Sequence, residues 1–526
     1  MNRIKSLFHF FKKQPDSASP AFDFVKIKKY FENNDTNQAY QVLTEQTCTD
    51  LNFDEFFSQI EKTSSCVGQQ YLYDRLRRIS RKSEIIGCDD TIEYLKNNKN
   101  FTHHCQKLLS KLGSYDAYYI CSLFQDKHPQ PSSIKKQTFS VLQFTPLLFL
   151  IIFIISQQSV WFLLMIGFFL INMFLHYRNK QLLLTYLHSI PQFLKLVFVA
   201  EKLSSEMPFE KTCPNIKNRV QSLQPLVRSL LRFEFEVKLE NDMVAIVWVI
   251  KELLNTFFLS EPNTLFRTFH TIEAKKADIE AIFAYVGHID MLFSVANLQE
   301  NLPYYCQPQW TDDYLRATDM YHPLVEQCTP NTLDTIGKSI LLTGSNMSGK
   351  TTFIRTIALN MLSAQTLNMC FARSFSGQRM RIHTAINLSD SLLESKSFYM
   401  KEVFAVKDML KASQQSDNNL FILDEIFKGT NTLERIAAGK AVLSALARNG
   451  NTVFVSTHDI ELADLLTKEY ELYHFCEQIE QNQLYFDYLL KRGKLKTRNA
   501  IKLLEIEGYP ENVISEANAI VEKNRI

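Results

Sequence analysis

The residues Gly344-Ser345-Asn346-Met347-Ser348-Gly349-Lys350-Thr351 fit the pattern G-x-x-x-x-G-K-[ST], and Thr352 follows them. Each fixed position in that pattern has a chemical reason. Glycines let backbone N–H groups turn inward around phosphate oxygens, the lysine reaches the outer phosphates, and the last hydroxyl holds Mg²⁺. Residues 344–352 are therefore expected to bind a nucleoside triphosphate, with Lys350 on the phosphates and Thr351 on the metal. A plain Gly-Ser turn ahead of a helix would leave the Lys-Thr pair unexplained.

Further along, Leu420-Phe-Ile-Leu-Asp424-Glu425 is an apolar run ending in two carboxylates. The first can serve the Mg²⁺ shell and the second can polarise an attacking water. Gly429-Thr430-Asn431 comes next as a turn beside them, and Thr452–Ser456 is another apolar run that delivers Thr457-His458-Asp459. In that position His458 can sense the terminal phosphate. Between loop and carboxylates lies Ser397-Phe-Tyr-Met-Lys-Glu402, where spacing alone says little. A serine opening a helix is most simply an N-cap, with Lys401 and Glu402 solvated.

These groups matter only if the backbone brings them together. Ser339–Thr343 reads as a buried strand feeding the loop, and Thr351–Ala364 as the helix behind it. Open α/β sheets hold ligands at the carboxyl edge of their strands, which is where Asp424, Glu425 and His458 would emerge. Residues 24–130 and 180–310 show helical periodicity with few breakers, Arg219–Phe258 among them, and suit levers better than an active site. At 526 residues there is room for two to four domains. A net charge of +2 leaves any nucleic-acid surface to local clusters such as Arg75, Arg77, Arg78, Arg81 and Lys82, a run that reads more simply as a solvated face. Ten cysteines scattered singly fit reduced thiols in the cytoplasm, and His103-His104-Cys105 reads as ordinary helix surface.

From Gln137 through Leu175 there is no charged residue, and Ser156-Gln157-Gln158-Ser159 divides the stretch. Such uniform apolarity reads as a transmembrane hairpin. The apolar runs Phe139–Ile155 and Val160–Leu175 are slightly short, about 24 Å for the second against about 30 Å of hydrocarbon. Lys135 and Lys136 before the hairpin, with Arg178 and Lys180 after it, put both flanks in the cytoplasm and the Gln-Gln turn outside. The N-terminal stretch, where Arg3, Lys5, Lys12 and Lys13 interrupt Ile4, Leu7, Phe8, Phe10 and Phe11, is no secretory signal. It could lie on an anionic membrane or pack as a helix on its neighbours.

GSNMSGKTT, SDSLLESKSFYMKE, LFILDEIFKGTNTLE and VSTHDIELADL resemble the ATPase domain of the MutS DNA mismatch-repair family, a branch of the ABC-type ATPases. The likeness continues at Tyr321–Glu326 and in the C-terminal segment LKTRNAIKLLEIEGYPENVISEANAI, and more loosely at 53–78 and Ile289–Leu298, which resemble the start and end of the family's helical core. The resemblance implies that Lys350 and Thr351 bind phosphate and Mg²⁺, that Asp424 is the Mg²⁺-associated aspartate, that Glu425 is the catalytic carboxylate, and that His458 is the switch histidine. It also implies that Ser397 is the signature serine presented to the nucleotide of a partner subunit, which makes the active form a dimer with composite sites. Departures are visible. The signature reads Ser-Phe-Tyr-Met-Lys-Glu instead of Ser-Thr-Phe-Met-Val-Glu, Ser345 and Ser348 stand where Pro and Gly are usual, and Cys328–Asn331 offers no aromatic ring for adenine. The stretch before the core is too short for the family's mismatch-reading domain, and the hairpin occupies the place of the DNA clamp.

The expected fold is thus an α/β P-loop ABC-type ATPase domain joined to an all-α lever domain interrupted by a transmembrane hairpin. The expected divisions are 1–50 (N-terminal helical segment), 51–135 and 179–312 (helical core), 136–178 (hairpin) and 313–526 (ATPase with C-terminal helices). The expected activity is that of a membrane-anchored MutS-like ATPase using ATP and Mg²⁺ as a homodimer, acting on DNA from the cytoplasmic membrane. The competing reading is an ATP-switched membrane scaffold for a protein partner. A transporter is disfavoured because one uncharged hairpin offers no polar pathway.

Overall fold

The structure is a computed structural model that describes residues 22–34, 39–81, 88–127, 133–186, 188–209, 213, 215–231, 253–259, 268–312, 314–335, 337–345, 348–386, 398–415, 418–480, 483–495, 500–506 and 508–523. The N-terminal basic-aromatic stretch, Lys82, Asn346, Met347, Ser397 and residues 232–252 of the expected 219–258 helix lie outside the described residues. Of that last segment, Ile216–Leu230 is helical, with Pro225 inside it.

Helices gather around two that are enclosed by protein. The first, α1 (Cys66–Arg77), buries nearly every residue. Its C-terminal Arg77 is only 3% exposed. The guanidinium donates to Leu43 O at 3.0 Å, to Glu45 Oε1 at 2.7 Å and to the Tyr73 hydroxyl at 3.0 Å, and it lies over the Phe31 ring. Arg75 is buried too, and Arg78 is tied to Asp74. This corrects the reading for Arg75 and Arg77, which are no part of a solvated or DNA-facing run, whereas Arg81 is exposed as a solvated residue would be. A helix walled in on all sides presents no charged face, and a buried cation persists only where acceptors meet it.

Two short strands flank α1. β1 (Ala39–Val42) pairs antiparallel with β2 (Arg78–Ser80). Elsewhere in the body, the helix Lys99–Leu109 exposes His103 and His104 but buries Cys105, so the cysteine belongs to the core and not to the surface.

The hairpin consists of α2 (Thr145–Ser156) and α3 (Ser159–Thr185), joined at Gln157-Gln158 with Gln157 in the left-handed conformation. Three helices among the described residues are long and apolar enough to cross a membrane. Two are Gln137–Ser156 and Ser159–Arg178, each of 20 residues and only 11% buried by protein. At 1.5 Å per residue a 20-residue stretch is about 30 Å long, though in the first a turn at Gln143-Phe144 separates α2 from the helix that ends at Leu142. Facing rings zip the pair together, Phe149 with Trp161 and Phe168, and Phe153 with Phe162.

One polar contact locks the base of the hairpin. Pro146 has no N–H, so the carbonyl of Leu142 four residues back loses its helical donor. Thr145 Oγ1 donates to it at 2.9 Å, and Asn172 Nδ2, fully buried on α3, donates at 3.1 Å. Asn172 also donates to Phe257 O at 3.0 Å, joining a third segment to the pair.

The third long apolar helix, α4 (Lys276–Asn301), is 83% buried by protein and is the spine of the helical body. Apolar on every side, it fits a core position. Its Asp290 accepts from the Ser64 amide at 2.9 Å and from the Ser65 hydroxyl, and Ser65 Oγ in turn caps α1 by accepting from the Gly68 amide at 3.0 Å.

After α4 the chain turns α/β. A small sheet runs β3 (Gln309–Trp310), β7 (Ser374–Gly377), β4 (Arg316–Met320), β5 (Asn331–Asp334). The main sheet has the order β14 (Lys491–Arg492), β11 (Tyr470–His474), β6 (Ser339–Thr343), β10 (Thr452–Ser456), β9 (Asn419–Asp424), β8 (Arg381–Ala385). All neighbours are parallel except β14, which is antiparallel to β11. Strands buried on both faces read as continuous apolar runs, which is why β6, β9 and β10 stand out in the sequence. Against this sheet lie α5 (Lys350–Leu367), α6 (Phe398–Ala412) and α7 (Thr432–Leu446). A hairpin of β12 (Glu477–Glu480) and β13 (Gln483–Phe486) comes after β11.

The open edge of β8 is closed by the helical body. The Gln41 side chain donates to Ile382 O at 2.6 Å and accepts from Ile382 N at 2.8 Å, as a neighbouring strand would. Asp50 accepts from the Ile386 amide at 3.0 Å.

Candidate functional site

The carboxyl ends of β6, β9 and β10, three adjacent strands, converge on one spot. β6 ends at Thr343 and runs into the loop, and Gly349 takes φ +99°, a conformation side chains resist, to turn the chain into α5. The first amides of α5 therefore point into the loop, where an anion would find them. Lys350, 3% exposed, donates from Nζ to Gly344 O and Ser345 O at 2.7 Å each. Burial lowers its pKa to about 8, against the pull of Asp424, Glu425 and Glu477. Ser348 Oγ donates to Ser345 O at 2.8 Å, while Thr352 is exposed at the helix start.

Asp424, the last residue of β9, accepts from Thr351 Oγ1 at 2.7 Å and from Ser456 Oγ at the end of β10. The carboxylate and hydroxyl oxygens brought together here are the hard donors that Mg²⁺ takes, so the residues fit that ion.

Glu425 comes next with φ +54°, and its amide donates to Ser456 O at 2.9 Å. Its carboxylate meets His458 Nε2 at 2.7 Å and Lys428 Nζ at 3.3 Å. The hydrogen bond from His458 is the main cause holding the carboxyl down to about 2, with Lys428 adding to it against partial burial. Glu425 is therefore an anion at neutral pH, poised to orient a water more than to take its proton outright. Next to His458, Asp459 is gripped by Arg435 of α7 through two bonds of 2.9 and 2.7 Å.

Gly344, Ser345, Ser348, Gly349, Lys350, Thr351, Asp424, Glu425 and His458 thus lie together at this edge of the sheet. Asn346, Met347 and the signature Ser397 lie outside the described residues, though α6 begins at Phe398, the next residue. Glu402 requires a correction. It is 3% exposed, not solvated, because its carboxylate turns inward and accepts from the Phe427 amide.

Several groups at the site escaped the sequence reading. Ser456 and Lys428 were overlooked beside more conspicuous neighbours. Glu477 accepts from Ser345 Oγ at 2.8 Å, and its position on β12 gives no local hint of this contact. Tyr488 lies against Gly349, within 3.2 Å of where a β-carbon there would be, and is 46% exposed. Asn331 fixes its backbone, donating to Tyr488 O at 3.0 Å and accepting from the Leu490 amide at 2.7 Å.

Residues 340–524 match the family described as MutS domain V. The chain is similar to the DNA mismatch repair protein MutS of Thermus aquaticus, 31% identical over 226 residues, covering 41% of this chain and 27% of that protein. It is 28% identical over 260 residues to the protein of that name from Oceanobacillus iheyensis, covering 47% of this chain and 29% of the relative. For the Methanosarcina barkeri protein the figures are 30% over 268 residues, 48% and 29%. The matches span less than a third of the length of these relatives.

Proposed function

With residues 340–524 this chain belongs to the MutS family, and on that premise we propose that it is a membrane-anchored ATPase whose nucleotide cycle moves helical levers, with DNA as the object. The observation that carries the ATPase reading is the joint placement of Lys350, Thr351–Asp424 and the His458–Glu425–Lys428 group around one loop. The loop amides and Lys350 would bind the phosphates, Lys350 exchanging its carbonyl partners Gly344 and Ser345 for phosphate oxygens. Thr351 and Asp424 would hold Mg²⁺, which supplies charge neutralisation at the outer phosphates. Glu425 would orient the attacking water, and His458, bonded to it, would report the terminal phosphate. The exposed Tyr488 ring beside Gly349 is suitably placed for the base. Ser397, ahead of α6, would complete the partner's site in a homodimer.

Membrane anchoring is supported by the two long apolar helices of the hairpin and their exposed aliphatic faces. Both soluble parts would then lie in the cytoplasm, and a reporter inserted at Gln157-Gln158 should appear outside. A cytoplasmic signal there would refute the topology.

One observation favours a second reading, an ATP-switched membrane scaffold for a protein partner: Arg75 and Arg77, two of the cations on which any DNA contact would have drawn, are buried. Purified protein assayed for ATP turnover with duplex, mismatched and branched DNA at low salt separates the two. Failure of every DNA to bind or to change turnover would leave the scaffold reading. Glu425→Gln should bind ATP, lose turnover by about 10²-fold or more and hold the dimer together, on the scale of removing one group preorganised for the transition state. Unchanged turnover would refute the role given to Glu425.

A further inference from the structure

The signature helix and the catalytic carboxylate are wired together through a buried carboxylate that takes no part in binding the nucleotide. Glu402 sits one turn into α6 and is 3% exposed. Its carboxylate accepts from the Phe427 amide and also faces the Lys428 amide. Those two amides belong to the turn directly after Glu425.

That turn does not keep its shape unaided. Glu425 and Phe427 have φ of +54° and +60°, a left-handed region that side chains disfavour and that persists only where surroundings enforce it. α6 provides the enforcement. Besides the Glu402 bond, the Tyr399 ring lies 6.3 Å from that of Phe427, and Gly429 approaches so closely that a β-carbon would stand 2.9 Å from Tyr399 Cβ. Lys428, the next residue of that turn, reaches back with Nζ to Glu425 Oε2 at 3.3 Å.

We propose that Glu402 is a positioning residue that locks the Phe427–Lys428 turn to α6, so that the orientation of Glu425 follows the orientation of the signature helix. The inference rests on the ATPase reading above and deepens it. The end of α6 next to Ser397 is where a partner's nucleotide would bear, so movement there is passed to Glu425 through one carboxylate and two amides. Nucleotide binding uses the loop and Lys350, and Glu402 touches neither.

The test is ATP turnover by the full chain in detergent or nanodiscs, together with affinity for a fluorescent ATP analogue, for Glu402→Ala and Glu402→Gln. Glu402→Ala should lower kcat by about 10- to 100-fold, as expected for a misoriented group, with analogue affinity within about threefold of the parent. Glu402→Gln keeps an oxygen for the Phe427 amide and should recover most of the turnover. A merely structural role would lower affinity and turnover together and would show no rescue. Amide exchange at Phe427 gives a second readout: it should quicken in Glu402→Ala while β6, β9 and β10 stay protected, and return close to the parent's in Glu402→Gln. Parent-like kcat in Glu402→Ala, or unchanged exchange at Phe427, overturns the proposal while leaving the ATPase reading intact. Absence of ATP turnover in the parent protein overturns both.

Discussion

Replacing Asp290 with asparagine is expected to stabilise this protein above neutral pH and to flatten its pH dependence below. The carboxyl is fully buried on the central helix α4, where it accepts from the Ser64 amide and the Ser65 hydroxyl. Burial pushes it up to about 7, Glu61 nearby works in the same direction, and the two hydrogen bonds oppose them. An unfolded aspartate titrates near ~3.9, so about three units separate the states, and at ~1.4 kcal/mol per unit the ionised form costs the fold up to ~4 kcal/mol. The sign comes from proton counting. Between about pH 4 and 7 the unfolded chain has released a proton that the folded chain still holds, so stability falls as pH rises through that window and levels off above it. In Asp290→Asn an oxygen remains for the Ser64 amide and an NH₂ can donate to Ser65 Oγ. The cost of ionisation disappears, while two charge-assisted bonds become neutral ones, leaving a gain of about 1–3 kcal/mol at pH 8 and little change near pH 4. Thermal unfolding followed by circular dichroism from pH 4 to 8 in one detergent reads this directly. A midpoint for Asp290→Asn below the parent at pH 8, or parallel pH slopes in the two proteins, would refute the reasoning.

Two other sites give outcomes of their own. Because burial lowers Lys350 to about 8, affinity for an ATP analogue should weaken by about tenfold per unit as pH rises past 8, where an ordinary lysine would hold until about 10.4. Titration from pH 7 to 9.5 checks this, and Lys350→Arg, charged throughout, should remove the trend. Asn172→Leu keeps the bulk of the side chain but takes a donor from Leu142 O and Phe257 O, and should cost about 1–3 kcal/mol. The loss would be seen as a lower temperature of aggregation in mild detergent, and an unchanged temperature would argue against that contact.

Local features were the ones legible in the residues alone. Ile340-Leu341-Leu342, Leu420–Leu423 and Val453–Val455 declare themselves as buried parallel strands because both of their faces are apolar, and the glycine-lysine pattern marks the loop at the end of the first of them. The hairpin likewise shows in composition, and its turn falls at Gln157-Gln158 as expected. The misreadings share one cause, partners supplied from far along the chain. Arg77 is charged and ends a helix, so it looks solvated, but its acceptors are Leu43 and Glu45, more than thirty positions upstream. Glu402 looked solvated for the same reason, its partner being the amide of Phe427, 25 positions on. The loop's tie to Glu477 spans 132 positions. No periodicity within a short window encodes such closures, whereas burial of an apolar strand is written in the strand itself.

The closure of β8 by Gln41 bears on how the chain survives its own synthesis. Gln41 and Ile382 are 341 positions apart, so the amide that occupies the strand edge leaves the ribosome long before the strand does. When β8 pairs with β9 it would otherwise offer a free row of donors and acceptors to the same strand of a neighbouring nascent chain, the geometry from which intermolecular sheets grow. A side-chain amide mimics one rung of that ladder, and as a single rung it cannot be extended by another strand. Asp50 takes the Ile386 amide further along, so the edge is plugged at two points by a segment made early.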